Sequence, residues 1–266
     1  MIWYYDIDAD VIEFLRSNLP ADSFRASHNP TTLSSKAKAG DLVIFFNYKH
    51  SKLYDSLERK GVSLFPSPRI THTLRNRATQ LRELDTITIF PLKRQYIDEY
   101  TGIPIPNANL PIMKTGDNHQ GIGKYKFPAA PRKMLRKESV VYEQFVDNHR
   151  AIRILIISND IFVIEHINDD TWIKNNNPDA ENTYHWNTQK EEIIKILPSA
   201  KELVFDALTL KTHLRTPLLG IDYAVGDTVI GLLEVNDMVG IPEDEKAETA
   251  YKNLVLNESK KHLRIH

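Results

Sequence analysis

The sequence predicts an α+β fold in which a small open sheet precedes a larger part built from strands and helices. Three observations support this prediction. The first third alternates apolar strand patterns with helix patterns, the later parts contain successive apolar strands, and two helix patterns lie near the end. The chain has 266 residues, of which 41% are hydrophobic and 26% charged, so it can bury a core like an ordinary globular protein.

The first 65 residues have the pattern of a βαβαβ unit. Strands are predicted at 2–7, 42–46 and 62–65, and helices at 8–19 and 52–60. This alternation implies a small, open and mostly parallel sheet. Because no Gly-rich fingerprint follows the first strand, the unit is not predicted to bind a dinucleotide.

The elements change character after a proline break at 66–68. We predict a helix at 72–84, a strand at 86–90 and a helical turn at 95–100. Further strands are predicted at 110–114, 140–146, 152–157 and 161–167, and two more flank Gly226–Asp227. The remaining segments are predicted to be a polar loop at 169–187, an amphipathic helix at 199–215 and a final helix at 243–263.

Charge and composition exclude several classes of protein. Lys and Arg total 34 against 35 Asp and Glu, so there is no basic excess of the kind that nucleic-acid binding favours. The absence of Cys excludes disulfides and Cys-ligated metals. No apolar run approaches the length of about 20 residues that a membrane helix needs. The N-terminus lacks the basic region of a signal peptide, so a cytoplasmic protein is expected.

Three polar residues near the C-terminus suggest a metal site. Glu234 and Asn236 are two residues apart on an otherwise apolar strand and therefore share a face, and Asp222 lies on the preceding strand. Oxygen ligands of this kind suit Mg²⁺. A loop of about 226–230 would place Asp222 opposite Glu234, whereas a two-residue loop would place them on opposite faces. The alternative is that Asp222 only ends a strand and the other two are exposed.

Two further signals involve cationic side chains. Lys114 ends an apolar strand and precedes GDNHQGIGK, a loop whose backbone N–H groups could close over phosphates. Arg153 lies among isoleucines on a predicted strand, where it could hold a phosphate or carboxylate. A surface turn and a solvated arginine are the alternatives, and the sequence leaves them open.

The order of these signals resembles the ATP-grasp superfamily, and it is most similar to the carboxylate–amine ligases related to the bacterial ribosomal-protein glutamate ligase and the lysine-biosynthesis ligases. The resemblance covers about 66–240. It implies an ATP-grasp fold, two α+β subdomains that clamp ATP, preceded by a small α/β domain. The implied boundaries are 1–65, 66–146 with a Gly-rich lid, and 147–266 with the metal site.

The resemblance also implies roles for individual residues. Lys114 and Arg153 would be catalytic, and Asp222, Glu234 and Asn236 would hold two Mg²⁺ ions, for which Mn²⁺ is expected to substitute. The nucleotide would be bound by residues that form the first cationic contact, the strand lysine, the lid and the adenine hinge: Arg75, Lys114, Gly116, Gly121, Gly123, Glu143, Gln144, Phe145 and Val146. Lys174 and Asn175 would face the substrate.

Several positions depart from the family pattern. Arg75 or Arg77 replaces a nucleotide-binding lysine, Ala151 replaces an aspartate, and Ile173 replaces an arginine. The resemblance nevertheless implies an ADP-forming ligase that joins a carboxylate, such as an amino acid or peptide, to an amine. The alternatives are an altered nucleotide-binding or protein-interaction module, a kinase-like enzyme, and a ligase that modifies a protein or peptide end. A homo-oligomer is left open.

Overall fold

The computed structural model describes residues 1–45, 51–66, 76–102, 107–115, 124–127, 134–147, 150–167, 185–187, 199–237, 241 and 244–264. Within these ranges the chain forms three sheets and six helices. The predicted α+β class is therefore confirmed. The three sheets fall inside the three predicted sequence ranges, whose exact boundaries stay a prediction.

The N-terminal sheet contains four parallel strands in the order β2-β1-β3-β4. They are β1 (Ile2–Tyr5), β2 (Phe24–Ser27), β3 (Leu42–Phe45) and β4 (Ser63–Phe65), connected by helices α1 (Ala9–Asn18), α2 (Pro30–Lys36) and α3 (Ser51–Arg59). The open parallel sheet is as predicted. The sequence did not predict β2 and α2, because β2 is largely exposed and lacks an apolar run. Helix α2 begins after Asn29, whose side chain accepts hydrogen bonds from Thr31 N and Thr32 N.

The middle sheet is antiparallel, with the order β5-β8-β6-β7. Its strands are β5 (Arg94–Gly102), β6 (Ile112–Thr115), β7 (Lys124–Lys126) and β8 (Met134–Glu143), and helix α4 (Arg77–Leu84) precedes them.

Two predictions for this region are wrong. Residues 95–100 belong to strand β5 rather than to a helical turn, because pairing with β8 outweighs the weak strand propensity of Asp98 and Glu99. Residues 86–90 form an irregular link instead of a strand. There Thr88 Oγ1 and Ile89 N donate to the buried Asp206 carboxylate at 2.7 and 2.8 Å, so a helix side chain satisfies a backbone N–H that a sheet would otherwise pair.

The C-terminal sheet is antiparallel with the order β11-β10-β9-β12-β13. Its strands are β9 (Arg150–Ile157), β10 (Asp160–Ile167), β11 (His185–Asn187), β12 (Leu218–Val225) and β13 (Ile230–Asn236). Helices α5 (Ala200–Leu214) and α6 (Glu245–Leu263) complete this part. Among the described helices, none combines the length and the apolar character that crossing a bilayer requires.

The two faces of the C-terminal sheet bury different cores. On one face, Ile152, Ile154 and Ile156 pack with the apolar side of α5. On the other, Leu155 and Ile157 share a core with α6 and with Ile2 and Tyr4 of the N-terminal sheet. The N-terminal unit is thus packed against the C-terminal sheet, and the polar end of that second face is where the candidate site lies.

Candidate functional site

The candidate site is organised by a row of three charged residues across adjacent strands. Arg153 on β9 pairs directly with Asp222 on β12, which pairs directly with Glu234 on β13. Directly opposed residues point to the same face with Cβ atoms about 5 Å apart. The predicted juxtaposition of Asp222 and Glu234 is therefore confirmed.

The chain reaches this register by a route that the sequence did not predict. Val225 pairs with Ile230, so the connecting loop is one residue shorter than expected. The register then shifts between Asp222 and Tyr223, where Leu233 is the extra residue of a β-bulge. Without that bulge, Glu234 would point to the opposite face of the sheet.

Both carboxylates of the row are buried and each contacts cations. Asp222 and Glu234 are 2% and 8% exposed, so the alternative of an exposed side chain is wrong for Glu234. Asp222 lies within β12 rather than at its end. Arg153 forms a bidentate pair with Asp222, with Nε–Oδ1 and Nη2–Oδ2 distances of 2.6 and 2.8 Å. The arginine side chain is 12% exposed, which is unlike a residue on a solvated face.

Glu234 lies between two cations from the middle region. Its Oε2 is 3.0 Å from Lys124 Nζ on β7 and 3.3 Å from Arg77 Nη2 on α4. Burial favours the neutral acid, but Lys124 and Arg77 outweigh it and hold the pKa of Glu234 well below its usual range. Asn236 follows two residues later, half-buried and opposite Gly220.

Strand β13 is an edge strand whose open side is bound by the middle region. The Gln80 side chain donates to Val235 O at 2.9 Å and accepts from Val235 N at 3.2 Å, as a neighbouring strand would. Arg94 donates to Leu232 O, and Lys114 Nζ donates to Leu233 O at 3.2 Å. These contacts satisfy the exposed edge and bind the bulge itself.

Arg94 and Lys114, which both bind the edge of β13, also share one buried carboxylate. Glu143, at the end of β8, accepts from Lys114 Nζ on Oε1 and from Arg94 Nε on Oε2, both at 2.6 Å. Arg94 also pairs with Asp85. Burial and the nearby arginines lower the pKa of Lys114 to about 7, although Glu143 opposes the shift. Burial favours the neutral acid of Glu143 too, but Lys114 and Arg94 prevail and lower its pKa.

Lys114 should make the stability of the protein depend on pH. Its pKa falls from 10.5 to about 7 on folding, so between these values the unfolded chain binds a proton that the folded protein does not. The free energy of unfolding therefore rises with pH in this window, by up to about 1.4 kcal/mol per unit. Urea unfolding at several pH values above neutrality should show a smaller slope for Lys114→Met, and equal slopes would contradict the assignment.

The predicted adenine hinge leaves the sheet directly after Glu143. Gln144 N donates to Lys93 O at 2.9 Å, and Val146 is buried against Leu92 and Ala224. The Lys126 ammonium lies 3.3 Å from the centre of the Phe145 ring. The hinge therefore joins the middle sheet to the C-terminal sheet beside the charged row.

Several predicted site residues lie outside the described residues. They are Arg75, Gly116, Gly121, Gly123, Lys174 and Asn175. Arg77, the other candidate for the first cationic contact, lies against Glu234. Two further residues of the site were not predicted from the sequence. Lys124 ends the quoted Gly-containing segment, and Arg94 begins a segment that was not predicted to be a strand.

The oxygen-rich row fits a hard divalent cation. Asp222 and Glu234 supply carboxylate oxygens on one face, and Asn236 adds an amide oxygen. Each carboxylate already contacts a positive group, which shows that the position favours cations. In the part of the chain that the structure describes, no group of three or more His, Cys, Asp or Glu side chains is gathered for a metal. The predicted set instead combines two carboxylates with the Asn236 amide.

Comparisons with known proteins identify the fold. No family model matches the sequence, and no curated protein sequence does. Among solved structures, D-alanyl-alanine synthetase A from Vibrio cholerae superposes with a TM-score of 0.65 at 12% identity, covering 99% of this chain and 98% of that one. A RiPP-associated ATP-grasp ligase from Chryseobacterium gregarium, in complex with ADP and a leader and core peptide, gives a TM-score of 0.60 at 11% identity over 97% and 96%. The chain has the ATP-grasp fold.

A third solved structure supports the same assignment of the fold. D-alanine–D-alanine ligase from Bacillus anthracis, complexed with ATP, gives a TM-score of 0.55 at 15% identity over 99% of this chain and 97% of that one. The middle region and the C-terminal sheet of this chain meet at the charged row, where Arg77 and Lys124 contact Glu234. The fold predicted from the order of the sequence signals is confirmed over almost the whole chain.

Proposed function

We propose that this chain is an ATP- and magnesium-dependent ligase that activates a carboxylate as an acyl-phosphate and joins it to an amine, with release of ADP and phosphate. One observation carries the proposal. Two carboxylates face each other across β12 and β13, and cations from three other elements converge on them. An acidic pair within a cationic surround suits a metal–triphosphate ligand, which carries both signs of charge.

The nucleotide would lie between the hinge and the charged row. Backbone groups of 144–146 are proposed to hold the adenine edge, because this segment has left the sheet while remaining packed against it. Lys114 would neutralise phosphate charge from the adjoining strand. Its low pKa suits this role, since an approaching polyanion would favour the ammonium form. The segment 116–123, proposed as the lid, connects Lys114 to Lys124.

The proposed reaction has two steps. An oxygen of the substrate carboxylate attacks the γ-phosphorus of ATP, the bond to the β,γ-bridging oxygen breaks, and ADP leaves. A neutral amine then attacks the acyl carbon and displaces phosphate, and the amine proton is lost as the amide forms. Such transfer depends mainly on positioning and electrostatic stabilisation, so no nucleophile from the protein is needed.

Asp222, Glu234 and Asn236 are the residues proposed to hold Mg²⁺, which when bound would neutralise charge on the phosphates. Arg153 would contribute a planar guanidinium to the transferred phosphate or to the acyl-phosphate. In the structure Arg153 is held by Asp222, so it is already oriented on the face where the acidic pair lies. Lys174 and Asn175 remain the proposed substrate contacts.

The acceptor class is proposed to be an amino acid or a peptide. Two structural neighbours with bound peptides support the peptide end as a second candidate. They are the Chryseobacterium gregarium ligase, and a Microcystis aeruginosa macrocyclase bound with a precursor peptide, with a TM-score of 0.55 at 10% identity. A cytoplasmic location and substitution of Mg²⁺ by Mn²⁺ stay predictions.

The test of this function is hydroxylamine trapping. The protein is incubated with ATP, Mg²⁺ and panels of amino acids or short peptides, and ADP and hydroxamate are measured together. We expect one carboxylate class to give hydroxamate in proportion to ADP, because only an acyl-phosphate is trapped in this way. ADP without hydroxamate would indicate a kinase-like enzyme. Nucleotide binding without turnover across both panels would favour the binding module.

A further inference from the structure

Glu234 contacts two cationic side chains, which its proposed role as a metal ligand does not by itself explain. Lys124 and Arg77 both contact its Oε2, and Lys114 adds a favourable field. The Lys124 side chain is only 7% exposed, and its ammonium lies 3.0 Å from that oxygen. Burying a lysine to this extent is costly unless a carboxylate compensates it, so the contact with Glu234 is an organised feature of the site.

Strand β7 places this lysine over the proposed nucleotide site. Lys124 and Lys126 are two residues apart and share one face of the strand, about 6.5 Å from each other. Lys126 lies over the Phe145 ring of the hinge, while Lys124 contacts Glu234 of the charged row. The intervening Tyr125 packs in the opposite direction, with Met113 and Tyr142. The face of β7 therefore spans from the adenine end of the site to its acidic end.

We infer that Lys124 takes the place of a divalent cation on Glu234 in the nucleotide-free protein and transfers to the triphosphate when nucleotide binds. Nucleotide then strengthens the binding of a divalent cation at Glu234. This inference rests on the proposed function, because it assumes that a triphosphate enters the site.

The dependence follows from charge balance. A metal ion alone would have to displace the Lys124 ammonium from Glu234 and leave that nearly buried cation without its carboxylate. A triphosphate removes this penalty, because its oxygens give Lys124 a new anionic partner and also bind the metal. The two ligands therefore favour each other's binding, with coupling of the order of tenfold that is typical of linked sites.

The experiment measures Mn²⁺ binding in the absence of nucleotide by isothermal titration calorimetry. Lys124→Gln should bind Mn²⁺ about tenfold more tightly than the unmodified protein, because the neutral amide does not compete with the metal ion for Glu234. Lys124→Arg retains the charge and should behave as the unmodified protein does. Lys126→Gln removes a lysine from the same face of β7 and is the matched control, with Mn²⁺ affinity unchanged. Combining Lys124→Gln with Glu234→Gln should abolish the gain, which assigns the ion to Glu234.

Nucleotide binding provides the second measurement. In EDTA, the affinity for AMP-PNP should fall about tenfold in Lys124→Gln. Lys124→Met retains the alkyl stem and serves as a second neutral variant if the glutamine protein unfolds. Unchanged Mn²⁺ affinity in both neutral variants, while AMP-PNP still binds the unmodified protein with Mg²⁺, would overturn this inference alone. Absence of AMP-PNP binding to the unmodified protein would overturn the proposed function with it.

Discussion

Glu234→Gln should lower the rate of ADP release by at least about a hundredfold, because the change removes the charge of a proposed metal ligand that faces Asp222. Glutamine retains the volume of the side chain and one oxygen acceptor. Alanine would be a poorer choice, since it would remove both from a buried position beside Arg77 and Lys124. The measurement is initial-rate ADP release with the carboxylate that gives hydroxamate.

The matched control lies on the other face of the same sheet. Glu165 pairs with Arg150 at 2.5 and 2.7 Å, a bidentate arrangement like that of Asp222 with Arg153. It lies opposite Ile152, which packs toward α5 rather than toward the charged row. Glu165→Gln should therefore retain activity within about threefold, because this carboxylate lies on the face that points away from the charged row. Equal losses in the two variants, or full activity in Glu234→Gln, would refute the metal assignment.

Arg94→Met should destabilise the protein by about 3–5 kcal/mol, which is typical of removing one partner from a buried ion pair. The Arg94 side chain is 1% exposed and binds Glu143, Asp85 and the Leu232 carbonyl. Its removal takes a cation from the buried Glu143 carboxylate and the half-buried Asp85 carboxylate, and a donor from the β-bulge. Urea unfolding should show the loss as a lower midpoint with little change in slope.

Arg82 offers the control for this prediction. It also pairs with an aspartate, Asp98, at 2.7 Å, but the two side chains are 49% and 75% exposed. Exposed pairs contribute less than about 1 kcal/mol, so Arg82→Met should be close to neutral. If Arg94→Met were as stable as Arg82→Met, the network that binds β13 to the middle sheet would not contribute to stability as the geometry implies.

The sequence predictions that are correct depend on a local pattern of residues. Those that are wrong depend on contacts with residues distant in the chain. Apolar runs such as Leu42–Phe45 predicted strands correctly, because burial on both faces leaves a continuous local signal. The segment 95–100 was predicted wrongly because its strand state depends on a partner about 40 residues away, and β8 lies outside any local window. The polar strand β2 was missed for the same reason, since it is held by hydrogen bonds to β1.

Some features of the candidate site are likewise visible in the sequence, and others depend on distant residues. The alternation of Glu234 and Asn236 on an apolar strand is a property of the sequence, and so is a lysine before a Gly-containing segment. The positions of Lys124 and Arg94 against these groups are not, because each joins residues more than 100 positions apart.

The sequence by itself determined the α+β class, most of the buried strands and the identity of the acidic pair, since local periodicity fixes which side chains share a face. Only the tertiary structure decided that the pair is aligned, because a single extra residue at Leu233 reverses the face of everything beyond it. It also decided which cations compensate the pair, because partners in a buried ion pair are chosen by the packing of distant elements and leave no periodic signal in the chain.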